Sequence, residues 1–576
     1  MDKKLVELGD KLNQGYITRR EFLRRAALVT GSWATALVAL QACSPAPTPT
    51  PTLVPPTATT APTATRPPAT PTPVPPTATR PPASPSPVPP MPTQAPKSGG
   101  TLISGRLSDV GNLDPQLDGT LTQQRQSFLT YSRLIRLGND LSIQPDAADS
   151  YEVKSGGKEI VFKLRRGVMW HPPINRELTA DDVKFSYGRL LKEGIGKADF
   201  TTVQDIEVID KYTVSFHLNT PNAGILASFA GIWGSLICKE VVDQKGDLRN
   251  TAVGTGPFIL DEWVAGKEMR FRKNPNYYVK GQPYLDRLVF QVIPQESSIV
   301  AALRSNTIHH ALLEENKNYD LLKNEANLVG YRESRLGFDF MNINHKVAPF
   351  DKPQVAQAIS WAIDRPQILQ AGTQGYAQLT PPLTPPMKVW QLAQDKWMPY
   401  YKPDLDKAKQ LLAQAGVPNG FKVTLTVCPQ FPTLVTDGQV VQANLKRINI
   451  DVELESVEYA IWTTRVQSNN FTLLTNAHPG ASDPDGVLYR ILHSKGANRN
   501  SWNEPRSDKL LDDGRVTFDF SKRKAIYDEL QVLLLETVPQ IWFFCPDMIN
   551  FTQKNVNGFK MNPTTFLWGF DEIWLA

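Results

Sequence analysis

Residues 98–576 predict a mixed α/β protein divided into two or three lobes. The stretch is about 480 residues long, more than a single hydrophobic core sustains. Strand and helix signals alternate along it instead of segregating into halves. No apolar run within it reaches the ~20 residues that cross a bilayer.

What precedes the globular part is an address and a spacer. Thr18-Arg-Arg-Glu-Phe-Leu-Arg24 reads as a twin-arginine export signal centred on Arg19 and Arg20. A mildly apolar run from Ala26 to Ala39 follows, then Leu40-Gln-Ala-Cys43. A basic region, an apolar region and a small-residue junction in that order mark an export signal ending at 42. The junction resembles a bacterial lipoprotein site, which implies that Cys43 becomes the lipidated N-terminus. Residues 43–97 are then a tether. Ser44 to Lys97 holds 21 of the chain's 48 prolines and three charged residues. Thr63-Ala-Thr-Arg-Pro-Pro-Ala69 recurs as Thr77–Ala83, so the tract grew by repetition. Proline removes backbone donors and fixes φ, and few large apolar side chains remain to build a core. An extended spacer of ~3.1 Å per residue is expected.

In the globular part, Glu159–Leu164 and Thr213–Leu218 alternate in polarity like half-buried strands. Val355, Ile359, Ala362 and Ile363 recur at helical spacing between Asp351 and Leu369, with Asp351 as the expected cap and Pro353 in the first turn. Asp404 to Ala415 predicts a second helix, closed by Gly416, and Phe421–Val427 a strand. Arg523 to Glu536 predicts a third helix with Ile526, Leu530, Leu533 and Leu534 apolar.

Several function classes are excluded. Net charge is +5, and loss of residues 1–42 leaves about +2, too little for a nucleic-acid partner. Cys238, Cys428 and Cys545 are widely spaced, which suits buried small apolar residues better than a zinc site. There is no Gly-x-Ser-x-Gly elbow, His-Glu-x-x-His, Cys-x-x-Cys or Walker loop, and no cofactor is expected. Gly480-Ala-Ser482-Asp-Pro484 starts like a nucleophile elbow, but Pro484 takes the place of the last glycine. A secreted hydrolase is therefore a minor alternative.

The run from Tyr151 through Val168, with Trp170-His171 and Thr179-Ala-Asp-Asp-Val-Lys-Phe-Ser186, resembles the signature region of the family 5 solute-binding proteins, the oligopeptide and dipeptide receptors of ABC importers. Gly99-Gly-Thr-Leu102, Gly254-Thr-Gly-Pro-Phe258, Phe350–Ala362 and Ala408–Gly416 are similar to further family segments in the family's order. The resemblance implies two hinge-linked lobes of the type II periplasmic-binding-protein fold, with an extra inserted domain. Lobe I would span 98–340 with an insert at about 141–204, lobe II 341–540, and 541–576 would return to lobe I. It also implies a monomeric receptor, not an enzyme, that closes on a peptide or related solute and presents it to ABC permease subunits from the outer face of the cytoplasmic membrane. An oligosaccharide is the alternative cargo.

The resemblance further implies where ligand sits. Peptide-binding members carry an aspartate three residues ahead of an acidic-Pro step, pairing with the peptide α-ammonium. Aligning Asp483-Pro484 with that step places Gly480 at the aspartate, so the carboxylate is missing here. Asn476, His478 and Asp483 belong to this loop, Asp483 also suiting a turn or helix cap. Asn500 and Trp502, in a stretch similar to a family loop near the cleft, and Trp233, in the glycine-rich turn Gly231–Gly234, complete the expected contacts.

Overall fold

The computed structural model describes residues 95–564, 567 and 569–576. Arg19, Arg20, Cys43 and the tether up to residue 94 lie outside the described residues. Among the described residues no helix is long and apolar enough to cross a membrane.

Two mixed sheets, one per lobe, share the strand Gln540–Gln553, all fourteen residues of which are buried. In lobe I, Thr101–Arg106 runs parallel to Arg287–Val292 on one side and to the start of His310–Leu313 on the other. Antiparallel Glu268–Lys273 and Phe258–Val264 complete that edge. In lobe II, Lys422–Val427 runs parallel to both Asp451–Ser456 and Leu473–His478. Phe338–Ile343 lies antiparallel to the last of these and to the shared strand.

The shared strand is the hinge. Residues 540–546 pair with lobe II and residues 547–553 with lobe I. The other crossing runs beside it: Leu328–Ser334 pairs on the lobe I side, and Phe338 opens the lobe II strand. The crossover thus falls at Arg335–Gly337 and Pro546-Asp547. Arg332 and Ser334 both bond the Asp547 carboxylate, fastening the two crossings together.

A separate antiparallel sheet of Ala148–Lys154, Glu159–Leu164, Thr213–Leu218 and Val203–Asp210 covers one side of lobe I. Its strands continue to residue 218, and its core draws on residues from Tyr131 to Val253. The alternation in Glu159–Leu164 puts Ile160 and Phe162 inside against Phe216 and Phe229, with rings at 5.7 and 5.0 Å in edge-on geometry.

The helix expected over 351–369 is two helices, Pro353–Ala362 and Arg365–Thr373. Pro366 has no N–H for the Ala362 carbonyl four residues back, so the ladder breaks there. Asp364 caps the second helix by accepting from Gln367 N–H at 3.0 Å, and Lys352, not Asp351, occupies the first cap position. The helix expected over Asp404–Ala415 runs Leu405–Gln414, with Asp404 as its cap, and Gly416 follows at φ +77°. The third helix runs Phe520–Thr537. Cys238, Cys428 and Cys545 are free and buried.

Candidate functional site

The lobes touch along one rim. Ala223 N–H donates to the Arg515 carbonyl at 2.7 Å, and Gly224 packs against Asp485. Behind that rim, a cavity of about 270 Å³ opens on the lobe I face beside the hinge. The C-terminal end of Thr101–Arg106 forms its floor, with Thr122, Arg125 and Gln126 of the helix Leu121–Thr130 on one side. Phe290, Met548, Phe559, Leu567 and Phe570 supply apolar walls. Few polar groups converging in a largely apolar concavity are typical of solute sites.

Those polar groups are fixed by the backbone around them. His310 Nδ1 lies 2.9 Å from Ser104 Oγ and its Nε2 3.1 Å from Asn550 Oδ1. Burial pushes its pKa down to about 4, so it is neutral at pH 7. Arg106 donates to Gln126 Oε1 and Asp109 Oδ1, both at 2.8 Å. Burial lowers its pKa to about 10 against the opposing pull of Asp109, leaving it charged. Arg106 Nε and Gln126 Nε2 are buried without a hydrogen-bond partner among the described residues. Two orphaned donors at a cavity wall are groups that an acceptor-bearing solute can satisfy.

In lobe II the loop around Gly480 packs against the crossing at Leu336. Gly480 has φ +82°, and a Cβ there would meet the Leu336 carbonyl oxygen at 2.2 Å. The glycine is required by the close approach of loop and hinge. His478 stacks on Phe338 at 5.3 Å, and its Nδ1 accepts from Gly480 N–H at 2.9 Å. Burial, reinforced by Arg490 and Arg499, lowers its pKa to about 4.

The remaining expected residues are dispersed. Asn476 and Asn500 are brought together, but through a buried amide ladder: Asn476 Nδ2 donates to Asn342 Oδ1 at 2.9 Å, and Asn342 Nδ2 to Asn500 Oδ1 at 2.7 Å. Asn500 Nδ2 ends the ladder on Gln540 Oε1 at 3.1 Å. Its amide is occupied in holding lobe II strands in register. Trp502 is buried in the lobe II core with Phe338 and Phe340. Asp483 accepts two bonds from Arg523, at 2.6 and 2.7 Å, and a third from Asp485 N–H at 2.9 Å, so it anchors a turn. Trp233 is half-buried against Gly196 and reaches the loop at Gly119. Arg106, Gln126 and His310, which line the cavity, were not among the residues expected from sequence to contact ligand.

Comparison with known proteins decides the family. Residues 142–499 match the model of bacterial extracellular solute-binding proteins, family 5. The chain belongs to that family. This solute-binding protein is 30% identical over 458 residues to di/tripeptide-binding protein 2 of Pseudomonas aeruginosa, covering 73% of this chain and 85% of the relative. It is 26% identical over 491 residues to the dipeptide-binding protein of Escherichia coli, covering 78% and 90%. Among solved structures, DppA of Helicobacter pylori in complex with the peptide STSA superposes with TM-score 0.67 at 26% identity, covering 83% of this chain and 98% of that one. HbpA2 of Haemophilus parasuis gives TM-score 0.76 at 24% identity, covering 83% and 100%, a likeness of fold alone. The relatives are receptors, and this solute-binding protein is a receptor of the ABC-transporter class, extracytoplasmic and not an enzyme.

Proposed function

We propose that the receptor captures a short peptide or peptide-like solute between its lobes and hands it to an ABC permease. The carrying observation is the cavity, apolar-walled with a few fixed polar groups, beside a hinge that both lobes share, on a chain similar to di/tripeptide-binding proteins. Closure brings the lobe II loop around Gly480 against the cavity. A solute that touches both walls only when closed shifts the population to that state. The twin arginines export the folded receptor, Cys43 anchors it by lipid, and the tether sets its effective concentration near the permease. Trp233, His478, Asp483, Asn476, Asn500 and Trp502 position the walls, His478 being the one of these beside the Arg490–Arg499 pair.

A thermal-shift screen against di- and tripeptides tests this reading. A bound peptide at 100 times its Kd raises stability by ~2.7 kcal/mol. No shift with any peptide refutes peptide capture. Cys43→Ala releases the protein from membranes if the lipid anchor is right, and Arg19→Lys with Arg20→Lys blocks export if the twin-arginine route is right.

A further inference from the structure

Three arginines lie near the loop where peptide receptors of this family are expected to carry an amine-binding carboxylate. Arg335 lies on the hinge crossing, and its Nε sits 3.5 Å from the Cβ position of Gly337, whose other neighbours are the His478 carbonyl and Pro479. That Nε is buried and has no hydrogen-bond partner among the described residues. Arg490 and Arg499 flank the loop's other side. Ala497 N–H donates to the Arg490 carbonyl at 2.8 Å, which folds the 490–499 segment back on itself and holds the two arginines near one another. Each raises the positive potential at His478, and Arg490 adds to the burial that lowers the pKa of Arg499.

None of the three forms an ion pair with a carboxylate among the described residues. The nearby acids stop short of ion pairing with them. Glu314 faces Arg125 across the lobe I wall at 3.6 Å. Asp199, on the side of the separate sheet, is raised by burial, an effect that Arg490 opposes. Asp339 is buried in lobe II, and the charge of Arg335 opposes the rise that burial imposes on it. On the lobe I wall, Arg125 is close enough to Arg335 to feel its charge, so basic groups meet at the hinge from both sides.

Resting on the peptide-receptor reading, we infer that the receptor selects an anionic ligand, a peptide rich in carboxylates, held by Arg335, Arg490 and Arg499 where the usual ammonium partner is replaced by Gly480. The chemistry fits. Guanidinium forks take carboxylates through paired, charge-assisted hydrogen bonds, and lobe closure removes water and strengthens them. A free ammonium brought to the same loop would meet three like charges, and the acids near enough to feel Arg490 and Arg335, Asp199 and Asp339, are both pushed toward the neutral form by burial.

The test uses the full chain with four probes: N-acetylated triglutamate amide, trialanine, trilysine and citrate, measured by thermal shift and calorimetry. The expected result is triglutamate binding at least tenfold tighter than trialanine, weakening as salt is added, with trilysine weakest. Arg490→Gln with Arg499→Gln should lower triglutamate affinity tenfold or more. Arg490 is exposed and neither residue holds an ion pair, so folding is preserved, which circular dichroism checks. Trialanine or trilysine binding as tightly as triglutamate overturns the inference and leaves the receptor reading standing. Binding of citrate without any peptide overturns the peptide reading and keeps the anion site. Binding by neither anion overturns the inference.

Discussion

Gly480→Asp is the substitution that the resemblance to peptide receptors invites, since it would place a carboxylate where that resemblance expects one. The structure predicts that it fails, for a backbone reason. Residue 480 sits at φ +82°, where a side chain costs ~1–2 kcal/mol. A Cβ would lie 2.2 Å from the Leu336 oxygen and 2.7 Å from Leu336 Cβ, whereas ordinary carbon–oxygen contacts lie near ~3.3 Å. The hinge must therefore yield by about 1 Å, at ~1–3 kcal/mol on the scale of overpacked interiors. Leu336 has little freedom to move, because its N–H is bonded to the Pro563 carbonyl at 3.0 Å. The sum is a loss of ~2–5 kcal/mol, read as a lower urea midpoint by circular dichroism. Gly480→Ala should lose nearly as much, since the strain starts at Cβ. If Gly480→Ala is as stable as the parent, or Gly480→Asp is stable and gains affinity for free-amine peptides, the reasoning is refuted.

Three further outcomes are expected. Burial raises the pKa of Asp339 to about 6, and Asp437, both of whose carboxylate oxygens are buried without partners, is raised by burial and by Asp339. A raised acid binds its proton more tightly when folded, so stability falls as pH climbs from about 4 through about 6. Asp339→Asn should leave stability near pH 4 little changed and raise it at pH 7 by on the order of 2–3 kcal/mol, flattening the profile of urea midpoint against pH; an unchanged slope contradicts this. Asp483→Ala strands the buried Arg523 guanidinium and should cost ~3–5 kcal/mol in denaturant melts, whereas exposed pairs such as Lys509–Asp513 should cost under ~1 kcal/mol. Cys238, Cys428 and Cys545 should resist thiol reagents until the protein is denatured, because all three are buried and the Cys238 thiol is pushed up to about 12; fast labelling of the native protein would contradict this.

The local elements were legible because their causes are local. Glu159–Leu164 and Thr213–Leu218 alternate in polarity and appear as strands with those same limits. Asp404 and Gly416 bracket a helix by capping chemistry that acts within a few residues. The break at Ile363-Asp364 was equally present in Pro366 but hidden by an apolar spacing that continued across it.

By itself the sequence determined the α/β class, the family order of its segments and the absence of a carboxylate at 480. Tertiary structure decided what that glycine is for. Its φ and the Leu336 oxygen are set by a hinge 144 residues earlier in the chain, which no local pattern reports. Pairing over long separations also committed Asn476, Asn500, Trp502 and Asp483 to lobe II scaffolding, because a buried amide, indole or carboxylate must find its partners wherever the fold puts them. The same long-range geometry brought Arg335 beside the loop whose own continuation carries Arg490 and Arg499.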